Sequence, residues 1–163
     1  MLRAMNDAVA SQLVDEFAET LQLGDSDEDR SSHGLILRAL RALPDPEAWT
    51  YGSNESQDAP PIALLLAGER LFHVEAGREN DGPVRVFCLS RSLIDPSPVI
   101  ELEWGDRDED DEGEHYTTIW RFRFSDDTST AVIGTVQTKP SEELDPAERF
   151  ARAVAATIND IVQ

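Results

Sequence analysis

Cysteine is nearly absent: Cys88 is the only one in 163 residues, which excludes an internal disulfide and a cysteine-built zinc site. Lysine is as scarce, Lys139 standing alone among arginines. Histidine occurs at His33, His73 and His115, in no HExxH or other paired spacing, so zinc hydrolysis has no footing. The chain contains no GxGxxG, GxxxxGKS/T or GxSxG, the patterns that cradle phosphates or raise a serine nucleophile. Long apolar runs are missing too. "APPIALLLAG" is far below the ~20 residues that span a bilayer. The opening "MLRAMNDAVASQLVDEF" is broken by Asn6, Asp7 and Asp15, unlike the apolar centre of a secretory signal. These absences lead to the expectation of a soluble, cytoplasmic protein with no cofactor, no metal and no membrane contact. An enzyme is unsupported by any motif.

Acid is what the chain has in excess. Thirty-three Asp and Glu face fourteen Lys and Arg, for a net charge of -19. Such a surface repels phosphate backbones and anionic headgroups, which argues against nucleic acid and lipid as direct partners. Acidity with arginine in place of lysine also fits a GC-rich genome or a salt-rich cytoplasm, in which case it says nothing about a partner. With 40% hydrophobic residues the chain can bury a core, and its length suits one domain.

Three stretches divide that domain. Residues 1–43 read as a helical segment. Met5, Val9, Leu13, Phe17 and Leu21 recur every four residues, Gly24 is placed to end the helix, and "LILRALRAL" forms a second, short helix stopped by Pro44. Between the two lies the polar "DSDEDRSSHG". Residues 44–61 are turn-rich and read as a linker with a short first strand, "AWTYG". From 62 to 163 the period is two, until a final helix. "IALLLAGERLFHV" is a hairpin turning at Gly68-Glu69. "PVRVFCLS", "PVIELEWG", "IWRFRF" and "STAVIGTVQ" are further strands. The last helix has Asp145 as N-cap, Pro146 in first position and Glu148 placed for a capping box, with Ala147, Phe150, Ala151, Val154, Ile158 and Ile161 along one stripe.

The aromatic strands permit a register test. Trp104 opposite Trp120 puts Leu102 against Phe122 and Ile100 against Phe124 on one face. The same register sets Glu103 against Arg121 and Glu101 against Arg123 on the other, as a hairpin with one buried face requires. The acidic run "DRDEDDEGEH" is then the loop at its tip. As a calcium loop it fails: counted from Asp108, Gly113 falls at the sixth position but Ile119 at the twelfth, and counting from Asp106 fails at both. "DSDEDRSSHGLI" fails as well, with Arg30 in place of the glycine and Ile36 in place of the glutamate. His115 among acids reads as solvated and His73 as a sheet residue. Cys88, alternating with Val84 and Val86, is expected to be buried, and Ser90 and Ser92 have no base beside them.

Seven short strands followed by one capped helix resemble the pleckstrin-homology-like superfold. The likeness is carried by "LLLAGERLFHV", "IWRFRFSDDTSTAVIG" and "DPAERFARAVAATI" over residues 49–163. It implies an α+β fold in which one bent, antiparallel seven-stranded sheet or sandwich is closed by the C-terminal helix, and a use in holding proteins or peptides. Members that bind phosphoinositides do so through a basic loop; the corresponding "GSNESQDAPP" is acidic or neutral. The composition is also similar to that of secretion-chaperone-like proteins, which interleave a helix among their strands; none is legible between Ile62 and Gln137.

The leading reading is a non-catalytic interaction or scaffold module that binds a protein partner or itself. The alternatives are a polyanion mimic using the acids at 25–29 and 106–114 on a basic protein, a secretion-chaperone-like protein, and an enzyme whose site the sequence does not show.

Overall fold

Asn6 and Ser26 begin the two N-terminal helices. In the computed structural model, which describes residues 2–52, 62–78, 82–94, 98–104, 116–124, 130–137 and 146–162, α1 spans Asp7–Thr20 and α2 spans Asp27–Arg41. Each cap side chain accepts a backbone N–H, Asn6 from Ala8 and Ser26 from Asp29, satisfying donors that the first turn leaves open. The second helix is longer than "LILRALRAL" suggests. The polar stretch before it is its first turns, with Asp27, Glu28 and Asp29 at the positive end of the helix dipole and Arg38 and Arg41 at the other. Between the helices Gln22 takes the left-handed conformation, at φ 56.

Seven strands follow: β1 Ala48–Gly52, β2 Ile62–Ala67, β3 Arg70–Arg78, β4 Val84–Ser92, β5 Val99–Trp104, β6 Tyr116–Arg123 and β7 Thr130–Gln137, then α3, Pro146–Val162. The Gly68-Glu69 hairpin forms as expected. Gly68 takes φ 61, which its lack of a Cβ permits, and Ala67 pairs Arg70.

The strands do not join into one closed sheet. They form two separate open antiparallel sheets, in orders β1-β2-β3-β4 and β5-β6-β7. The pleckstrin-homology-like sandwich is therefore overturned, although an antiparallel α+β fold remains. The break falls after β4. Leu93 turns into the core and its N–H bonds Glu69 O at 2.8 Å, while Ile94 N–H bonds Ser92 Oγ at 3.2 Å. Pro98, which has no N–H to give a ladder, precedes β5. Among the described residues no helix lies between Ile62 and Gln137.

Two cores lie on opposite faces of the four-stranded sheet. Leu13, Val14 and Phe17 of α1 and Ile36 and Leu40 of α2 pack on Leu65, Phe72, Val74 and Val84. Behind them, Ile62, Leu64, Leu66 and Leu71 meet Phe122 and Phe124 of the second sheet's β6 end and Phe150, Val154 and Ile158 of α3. This explains why "IALLLA" is buried at every residue: β2 is covered on both faces.

The register of the aromatic hairpin differs from the expected one by two residues. Trp104 pairs Thr118, Leu102 pairs Trp120, and Ile100 pairs Phe122. A two-residue slip keeps every side chain on its face, so the buried rings stay buried. The Glu101–Arg123 ion pair also survives, as a diagonal contact of 2.8 Å, while Glu101 lies directly opposite Arg121.

Candidate functional site

The two outer strands of the larger sheet are treated differently. β1 is flanked by α3 and touches β7. β4 pairs only with β3 within its sheet, and α2 runs against it. Nine residues long, β4 presents one backbone edge that no described strand pairs. Alternation sends Val84, Val86 and Cys88 toward the α1/α2 face and Arg85, Phe87, Leu89 and Arg91 toward the other, consistent with Val84 lying in the helix-side core. Phe87 is 58% exposed, the most exposed large apolar residue among those described.

A cleft opens where β4 begins. Glu28, Ser31, Ser32 and Leu35 of α2 form one wall, Arg78, Gly82, Pro83 and Val84 the other, around a volume of about 410 Å³, within the roughly 300–1,000 Å³ range of ligand sites. Its wall is braced by a largely buried ion pair, Arg78 Nη1 to Asp29 Oδ1 at 3.2 Å. Arg78 Nε also donates to Gly82 O at 3.1 Å, and Gly24 N–H donates to Asp29 Oδ2 at 2.8 Å. The Gly24 amide above all, with Ser26 and Arg78, holds the Asp29 carboxyl below its ordinary range against the desolvation that would raise it. The acids at 27–29 are thus accounted for by a helix start and a brace. The acids at 106–114, and His115, lie outside the described residues.

The other sequence candidates disperse. His33, on α2, stands 3.7 Å from Asp15 of α1. His73 Nε2 stands 3.2 Å from Glu75 Oε1 on β3. Ser90 Oγ accepts from Arg70 Nε at 2.8 Å. Cys88 corrects its expectation: it is exposed midway along the edge strand, whose outer side no described strand covers. Desolvation still pushes its thiol pKa up, which disfavours the reactive thiolate. Among the described residues no three His, Cys, Asp or Glu side chains are grouped to hold a metal ion, and no helix is long and apolar enough to cross a membrane.

Two contacts carried no sequence signal. Tyr51 and Thr20 share a hydroxyl–hydroxyl bond beside Glu16, whose Oε2 is buried without a partner and whose pKa is raised, first by desolvation and then by Glu19. Glu148, placed for a capping box, instead accepts from Trp120 Nε1 at 2.8 Å and Arg152 Nε at 3.1 Å, fastening α3 to β6; Asp145 lies outside the described residues. The Arg78–Asp29 brace could have been suspected only from the S-x-x-D start at Ser26, which marks the helix to which Asp29 belongs.

No protein-family model, no curated protein and no solved structure matches the chain.

Proposed function

We propose that the chain is a non-catalytic, cytoplasmic module that binds another protein by accepting an extended segment along β4. One observation carries this reading: a nine-residue strand whose outer edge no described strand pairs, with an exposed Phe87, beside a cleft. Edge strands are normally short, covered or bulged because an open row of N–H and C=O groups templates another chain. Strand addition uses that row for affinity and the alternate side chains for selection. The scattered histidines, engaged serines and unreactive setting of Cys88 favour binding over chemistry.

The test compares the wild-type chain with Phe87→Asp in capture from the native host, followed by amide hydrogen exchange on the complex. Phe87 is exposed, so the variant should fold with an unchanged melting temperature. The expected result is a partner that slows exchange along 84–92 and is lost with Phe87→Asp. A partner held equally by both proteins, with β4 amides unprotected, overturns the proposal.

A further inference from the structure

We infer that Glu16 is a proton-operated latch on the seam between α1 and β1: carrying a proton it lets the last turn of α1 close on Tyr51, and without one it works that turn loose. The latch lies across the sheet from β4 and does not depend on what β4 binds.

Three separate features of the seam act against a charge on Glu16. The first is the supply of hydrogens. Thr20 Oγ1 donates its single hydrogen to Glu16 O at 3.0 Å, so in the Thr20–Tyr51 contact the phenol is the donor. Both hydroxyl hydrogens are then spent, and the buried Glu16 Oε2 is left with no hydrogen bond. A buried carboxylate oxygen without a donor is costly, and a neutral carboxyl much less so. The second is like charge: Glu19, three residues on along the same helix, repels it. The third is the helix itself. α1 ends at Thr20 with no base in its last turn, so both acids sit toward the end where the backbone dipole is negative.

No cation offsets these effects. Tyr51, facing Glu16 from β1, is a phenol kept neutral by its own raised pKa, chiefly through desolvation. The basic side chains that α2 sends to α1 go elsewhere, His33 to Asp15 at 3.7 Å and Arg41 to Asp7 at 3.3 Å. A proton on Glu16 relieves all three penalties together. The carboxyl is accordingly raised above its ordinary range, first by desolvation and then by Glu19. The folded chain holds that proton more readily than the unfolded chain does. Glu16 therefore favours the closed seam fully below pH ~4.3, and this is lost as the pH rises through the higher folded value. The part that loosens is the end of α1, where the amides of Leu21, Gln22 and Leu23 bond the carbonyls of Phe17, Glu19 and Ala18. Phe17, edge-on to Tyr51 with ring centres 5.6 Å apart, ties that turn to the strand.

The experiment follows the full chain by NMR from about pH 4 to about pH 8, spanning the ordinary and raised carboxyl ranges. Carbon detection reads the titration of the Glu16 carboxyl. Hydrogen exchange, corrected for its intrinsic pH dependence, reads the amides of Leu21, Gln22 and Leu23. Their protection should fall about three- to tenfold as Glu16 ionises, the size of one like-charge helix pair together with the dipole. Glu16→Gln, uncharged throughout, should keep the protection of the acid form at every pH. Glu19→Gln, at an exposed position, should lower the pH at which the wild-type step occurs. A Glu16 carboxyl that titrates in the ordinary range overturns the latch, as do amides whose protection ignores that titration. A step of equal size in Glu16→Gln also overturns it, by assigning the step to another group.

Discussion

Phe122 is fully buried where β6 meets α3, whereas Leu102, two strand positions from Ile100 on the same face, is 44% exposed. Phe122→Ala should therefore cost about 3–5 kcal/mol by urea denaturation, and Leu102→Ala a fraction of that. Alternation alone ranks the two equally; membership of the core shared with α3 and the larger sheet separates them. Asp29 gives the clearest pH dependence. Its carboxyl is held below the ordinary range in the folded chain, chiefly by the Gly24 amide. The unfolded chain therefore binds a proton more readily, so the contribution is complete above pH ~4, the ordinary range, and is lost as the pH falls through the depressed folded value. Asp29→Asn should show a shallower loss of stability on acidification below pH ~4, measured as denaturation midpoints across a pH series. Nothing in "DSDEDRSSHG" ties Asp29 to its partner, because Arg78 lies forty-nine positions away.

Element boundaries were legible where local chemistry determines them. Gly68 marks its turn and Pro146 its helix start, and both stand where their backbone preferences place them. The start of α2 was legible but hidden: Ser26 and Asp29 have capping-box spacing, while the acids around them read as a solvated run. Ser26→Ala should destabilise the chain by ~0.5–2 kcal/mol in thermal or urea melts, which a loop serine would not do. The aromatic hairpin shows a limit of pattern reading. Slips of two residues preserve both the buried face and the charge pairing, so alternation selects a parity and tertiary packing selects the register. The number of sheets was not legible for a similar reason. Strand signals describe segments, and whether β5 continues the first sheet depends on where Leu93 is drawn in. The open edge of β4 belongs to the same class: a strand's sequence does not say which neighbours it has.

At the scale of the whole molecule, the described acids at 27–29 serve a helix start and a brace to Arg78 and need no partner to explain them. One feature of the architecture reaches beyond binding. β2 is a partition wall common to both cores, its odd residues facing one and its even residues the other. Neither compartment can melt while its shared wall stays ordered, so a chain with two sheets and two apolar interiors should still denature in one step. Calorimetric and van't Hoff enthalpies should agree, and enlarging the void on one side with Leu65→Ala should lower the midpoint reported by Trp120 on the far side as much as that reported by Tyr51 on the near one.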